Sequence, residues 1–182
     1  MKRTYIATTQ EAKALHDGTQ TAIITKMRVQ PNKVDWNPIV VGKNKGWCDE
    51  HGRAIPVPYA IGQEVVVREA WQQEANYVDT SIGWGWEATD NYLYKADGNE
   101  LPNDSMCFST WRSPATMPVS AARTRFIPVS CEAVRVRDMI FSQRHFLNVT
   151  RQGEHEAYIK SKLDQSAWDN NDYIFYYKIE KI

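Results

Sequence analysis

Apolar and polar residues follow two periods along this chain, and each period marks a kind of element. After Gly62-Gln63 the run Glu64-Val65-Val66-Val67-Arg68-Glu69-Ala70-Trp71 is rich in β-branched residues and predicts a strand. Tyr92 to Ala96 predicts another, closed by an Asp97-Gly98 turn. Val134 and Val136 alternate with Arg135 and Arg137, the period of two that gives a strand one buried and one solvated face. The end of the sequence, 173–182, is made almost wholly of strong β-formers, and Tyr5-Ile6 reads as a short edge strand. The helical period is rarer. Thr8 and Glu11 have capping-box spacing, and Gly18 is placed to end a helix in a left-handed cap, so a helix is predicted from about Thr9 to Asp17. A second is predicted over 154–164, where Glu156 and Lys160, and Ile159 and Leu163, are four apart. The segment 19–29 suits a strand or irregular chain.

Two long stretches lack either period. Residues 30–60 are rich in Pro, Asn and Gly, with Trp36 and Trp47 among them and a short strand suggested at Val40-Val41. Residues 72–91 read as irregular and carry the sequence Gly83-Trp84-Gly85-Trp86. Short strands, few helices and long loops predict an α+β, mostly β fold. They favour a small β-barrel flanked by short helices over a doubly wound parallel sheet. The length of 182 residues suits one domain, with the two long loops as insertions.

Composition adds modest constraints. Hydrophobic and charged fractions of 42% and 24% are those of an ordinary globular chain, and no apolar run approaches a membrane span. The polar N-terminal stretch does not read as a secretory signal, and three widely spaced cysteines (48, 107, 131) read as reduced thiols, so a cytoplasmic protein without a membrane partner is expected. The Asn148-Val149-Thr150 glycosylation pattern carries no meaning without export. Seven Trp and nine Tyr would supply base-stacking platforms or fill a sheet-based core.

Charge is unevenly placed. Between Trp111 and Arg151 lie seven arginines and only two acids, Glu132 and Asp138, a local charge of +5 in a chain whose formal net charge is zero. The rest therefore sums to −5. Such a concentration is the footprint expected for a polyanionic partner, although the same arginines would serve a solvated sheet face whose stems cover apolar surface. Other chemical motifs are thin. Cys48 and His51 are half of a metal site, and His155-Glu156 lacks the second histidine of a zinc-protease helix, Ile159 standing in its place. There is no phosphate loop and no nucleophile elbow, so no catalytic residue, metal or cofactor is assigned.

Four segments, in order, resemble the ASCH domain family of the PUA-like superfamily, in particular its phage and prophage versions. Pro58-Tyr59 followed by Gly62 through Trp71 resembles the family's P-Y-G-x-x-G-D-x-x-W-V-R-E-T-W. Tyr94-Lys95-Ala96-Asp97-Gly98 resembles Y-R/K-A-D-G. Trp111-Arg112-Ser113-Pro114, with Met117-Pro118 and Ala122-Arg123, resembles W-R-P-S-x-x-M-P-x-x-A-S-R. Trp168-Asp169-Asn170 resembles the W-D-x-N before the last strand. The resemblance implies a PUA-like barrel with short flanking helices and a role in binding RNA or nucleosides. In some members it implies deacetylation of N4-acetylcytidine or RNA cleavage through a G-x-K-T-x-T-x-R segment and a later glutamate.

The chain departs from that hydrolase pattern. Aligned from Asp17-Gly18, the lysine position is Gln20, Thr21 matches the first threonine, Ile23 stands for the second, and Ile24 and Thr25 stand for the arginines. Residues 141–149 contain no acid. Lys26 would replace the lysine only after a register shift, and Glu69 would be the remaining acid–base candidate. The expected function is therefore binding of RNA, single-stranded nucleic acid or a nucleotide. Arg112, Arg123, Arg125, Arg135 and Arg137 would meet phosphates and Trp71 or Trp111 would stack a base, with Thr21, Lys26, Arg68, Glu69 and Lys95 completing the candidate site. An internal ion-pair network of Arg68, Glu69, Lys95 and Arg123 is the structural alternative. The functional alternatives are an ASCH-type hydrolase and a phage accessory protein that binds a host protein through the Trp-rich loops.

Overall fold

A computed structural model describes residues 3–37, 46–80, 83–101, 109–149 and 151–182. In chain order the elements are β1 (Arg3–Ile6), α1 (Thr9–Asp17), β2 (Ala22–Lys26), β3 (Val34–Asn37), β4 (Gly46–Asp49), β5 (Ala54–Ile55), β6 (Val65–Arg68), β7 (Trp71–Thr80) and β8 (Gly83–Tyr94). There follow β9 (Arg125–Arg135), α2 (Phe141–Phe146), α3 (Gln152–Lys162), α4 (Gln165–Asp169) and β10 (Tyr173–Lys181). Short 3-10 turns occupy Lys95–Asp97, Pro114–Thr116, Val119–Ala121 and Val136–Asp138. The fold is α+β and mostly strand, as expected; among the described residues the strands form several sheets, none of them closed into a barrel. The chain divides into two compact units, one of residues 1–17 and 65–125, the other of 18–64 and 126–182.

In the first unit β1 pairs in parallel with β6, Tyr5 opposite Val67 and Ile6 opposite Arg68. The capping box that begins α1 forms as its spacing predicts. Thr8 Oγ1 accepts from the Glu11 amide at 3.2 Å, and Glu11 Oε2 accepts from the Thr8 amide at 2.9 Å. Glu11 is buried, and its other oxygen takes the Tyr5 hydroxyl at 2.7 Å, which ties the helix start to β1. Gly18, at φ 75°, ends the helix in the left-handed region.

Two expectations for this unit need correction. The strand expected over 64–71 is two strands, because Glu69 turns inward after Arg68. The Arg68 carbonyl still accepts from Ala7 at 2.9 Å, but the Glu69 amide meets the Met117 sulfur at 3.4 Å and the Ala70 carbonyl takes the Lys95 amide at 3.0 Å. The described residues of the stretch 72–91 are not irregular: 72–80 and 83–91 belong to the β7–β8 hairpin, with Tyr77 opposite Trp86 and Asp79 opposite Trp84. Its aromatic residues supply cross-strand pairs, which outweigh the turn-forming glycines. The expected strand at 92–96 ends at Tyr94, where the chain tightens into a 3-10 turn closed by Gly98 at φ 77°. Val66, Trp71, Met117, Ala121 and Ala122 form the apolar centre, with Tyr92, Tyr94 and Val119 packed against it.

In the second unit β10 runs antiparallel to both β9 and β2, so that Tyr176 lies between Glu132 and Ile24. The segment 19–29 thus contains a strand. So does the expected loop 30–60: β3, β4 and β5 form an antiparallel sheet, and Trp36 meets Trp47 edge-to-face at 5.1 Å. The short strand expected at Val40-Val41 lies outside the described residues. β9 stops at Arg135, and the valine–arginine alternation continues through a 3-10 turn instead of a strand, with Val136 buried and Arg137 exposed. Ala22, Ile24, Val136, Met139, Leu147, Val149, Ile159, Ile174 and Tyr176 form the core of this unit.

Because the Thr8 hydroxyl is the part of the capping box that a methyl side chain cannot replace, Thr8→Ala should lower stability by about 1 kcal/mol in urea unfolding without changing the m-value.

Candidate functional site

Three segments of the first unit converge on Arg123. Glu69 comes from the bend between β6 and β7, Tyr94 from the end of β8, and Asp97 from the turn after it. Arg123 Nε donates to Glu69 Oε1 at 3.0 Å and Nη2 to Glu69 Oε2 at 3.2 Å. Its Nη1 and Nη2 donate to the two oxygens of Asp97, each at 2.7 Å. Four charge-assisted bonds thus engage a group with five N–H donors. The guanidinium carbon also lies 4.0 Å from the centre of the Tyr94 ring, and the Tyr94 hydroxyl donates to the Ala121 carbonyl at 2.6 Å. Side-chain exposure is 1% at Glu69, 19% at Arg123 and 39% at Asp97, so the network runs from the interior to the surface. Burial opposes the Arg123 charge, but the bonds from Asp97 and Glu69 outweigh it and hold its pKa above the ordinary arginine value. Burial likewise raises the Tyr94 hydroxyl.

This is an ion-pair network of the kind weighed from sequence, with different members. Glu69 and Arg123 belong to it. Asp97 and Tyr94, which sequence reasoning left out of the site, complete it; the Tyr-x-x-Asp-Gly spacing was the signal that placed them on one turn. Arg68 and Lys95 lie beside it with other contacts. Arg68 Nη1 donates to the Ala115 carbonyl at 2.9 Å, and its buried Nε has no hydrogen-bond partner among the described residues. Lys95 is exposed. Arg112 is exposed too, its guanidinium 5.1 Å above Trp71 and its backbone bridged to Trp71 through hydrogen bonds of 2.8 and 3.4 Å. Trp71 itself is buried beneath Arg112 and beside Tyr92, so its ring is core here, while Trp111 is half-buried. Arg125 is half-buried.

The remaining candidates lie in the second unit, and their partners are mostly backbone carbonyls. Arg135 donates to the carbonyls of Asn171 and Asn32 at 2.9 and 3.0 Å and lies over Tyr173 at 4.1 Å. Arg137 donates to the carbonyls of Trp168 and Asp169 at 2.9 and 2.6 Å, at the C-terminal end of α4, where a cation suits the negative end of the helix. Lys26 pairs with Asp164 at 2.7 Å and Asp172 at 3.5 Å; its pKa is raised, chiefly by the hydrogen bond to Asp164, whose own carboxyl that bond holds down near 2. Thr21 is exposed, its amide bound to the Phe146 carbonyl at 3.0 Å. Gln20, at the position a hydrolase lysine would take, is buried and donates to the Ala22 carbonyl at 2.8 Å.

Cys48 donates to the Asp35 carbonyl at 3.4 Å, and among the described residues no group of three or more His, Cys, Asp and Glu could hold a metal ion. No described helix is long and apolar enough to cross a membrane. No family model, curated protein or solved structure matches the chain.

One titratable group was not anticipated. His155 is buried edge-on to Trp168 at 5.4 Å with no partner for its Nε2 among the described residues, and burial, reinforced by the Arg144 charge, pushes it down to about 4. The unfolded imidazole binds its proton near 6.5, the folded one only near 4. Stability from keeping His155 neutral is therefore complete above pH 6.5 and is lost as pH falls across that window. Thermal unfolding followed between pH 7 and 4 should show this loss in the wild type and a flatter profile in His155→Gln.

Proposed function

We propose that the chain is a PUA-like ASCH module, its strands completing a small barrel, that binds RNA, single-stranded nucleic acid or a nucleotide in the cytoplasm without catalysing a reaction. What supports the family reading is physical: three of the four segments that carry the resemblance meet at Arg123, which holds Glu69, Tyr94 and Asp97 together. The fourth, Trp168-Asp169-Asn170, is tied down by Arg137.

The observation that carries the binding reading is how positive charge is divided. Arg123 faces two carboxylates, and Arg135 and Arg137 face backbone carbonyls. Arg68, Lys95 and Arg112 form no ion pair with a described residue, yet all three are anchored on the segment 68–71. Arg112 is bridged to Trp71, the Lys95 amide bonds Ala70, and Arg68 lies within the segment itself. Arg68, with Lys95 and Arg112 bonded through their backbones to Ala70 and Trp71, forms a phosphate-binding surface, with the half-buried Trp111 beside Arg112 as the base-stacking ring.

Binding of short single-stranded RNA, measured by fluorescence anisotropy against salt, tests this. Arg112→Ala and Lys95→Ala should each weaken binding several-fold and reduce the slope of log affinity against log salt by about 0.7 for each phosphate no longer neutralised. Unchanged affinity and slope in the double variant would overturn the proposal.

A further inference from the structure

The β7–β8 hairpin carries a second surface of opposite character. On one face Tyr77 stands opposite Trp86 and Asp79 opposite Trp84. Tyr77 and Trp84 are stacked, with ring centres 5.6 Å apart and planes within 12°, and Trp86 tilts against Tyr77 at 5.3 Å. A cross-strand pair suffices to staple a ribbon. Here Tyr77 and Trp84 remain 58% and 67% exposed, so the outer ring presents an open face to solvent. Large aromatic rings left exposed together mark a contact surface more often than a single exposed apolar residue does.

The charge around these rings limits the choice of partner. Residues 71–94 contain four acids, Glu74, Asp79, Glu87 and Asp90, and no lysine or arginine. Asp79 shares the face of Trp84 and lies directly across from it. A nucleic acid would bring like charge to this ribbon. An arginine suits both features at once, because its planar guanidinium stacks on an indole face while its N–H groups pair with a carboxylate.

We propose that the Tyr77–Trp84 face of the hairpin, with Asp79 across from Trp84, docks an arginine-bearing segment of a partner protein. This surface is separate from the cations at 68–71, and its role does not depend on nucleic-acid binding there.

The test uses the full chain with fluorescent oligoarginine and oligolysine peptides of equal length, and short single-stranded RNA as a third probe. Oligoarginine should bind several-fold tighter than oligolysine, since only the guanidinium gains from stacking. Trp84→Ala should weaken oligoarginine binding about fivefold or more, and Trp84→Phe should keep most of it. Asp79→Asn, which leaves every ring in place, should weaken both peptides and so reads the surface even where Trp84→Ala disturbs the hairpin. Equal affinity for the two peptides, or oligoarginine binding unchanged in both Trp84→Ala and Asp79→Asn, would overturn the proposal. So would RNA binding that is lost in Trp84→Ala, which would make the face a base-stacking platform. Concentration-dependent self-association abolished by Trp84→Ala would also overturn it, in favour of a second copy of the chain.

Discussion

Arg123 sits between a carboxylate that has left water and one that has not. Glu69 is almost fully buried, and a lone buried carboxylate would be costly; both of its oxygens are instead met by Arg123, whose remaining reach is taken up by Asp97. The arrangement fixes three places in the chain at once: the bend where β6 gives way to β7, the tight turn that ends β8, and the residues leading to β9. The Tyr94 ring under the guanidinium closes the network from below. Breaking one member of such a buried pair is typically worth about 3–5 kcal/mol, a large part of the margin by which a domain of this size is folded.

That constraint also distinguishes Arg123 from the other cations of the chain. The arginine-rich stretch looked like one positive strand, but its members serve several ends. Arg123 neutralises carboxylates, Arg135 and Arg137 satisfy carbonyls around the end of α4, and Arg112 lies open on Trp71. Of that stretch only Arg112, with Arg68 and Lys95 from elsewhere in the chain, enters the proposed phosphate-binding surface. The acidic, aromatic hairpin adds a surface of the opposite sign.

Much of the fold was legible where the signal is local. The Thr8–Glu11 box, the Gly18 stop, α3 and the terminal strand follow from spacing, because hydrogen bonds within a few residues determine them. The hairpin was hidden because glycines in Gly83-Trp84-Gly85-Trp86 suggest turns, although two tryptophans spaced by two are also a strand face. The break at Glu69 was not legible, since what turns that residue inward is Arg123, 54 positions away. For the same reason the candidate site was legible only in part. Glu69 and Arg123 could be paired by their chemistry, whereas Asp97's share in the network depends on how the chain folds.

The most direct test of Arg123's role is urea unfolding of Arg123→Ala, Glu69→Gln and the double variant. If Arg123 exists to neutralise a buried carboxylate, Arg123→Ala alone costs about 3–5 kcal/mol and adding Glu69→Gln restores part of that loss, because the orphaned charge is gone. An Arg123→Ala protein within about 0.5 kcal/mol of wild type, the range of an ordinary surface substitution, would contradict it.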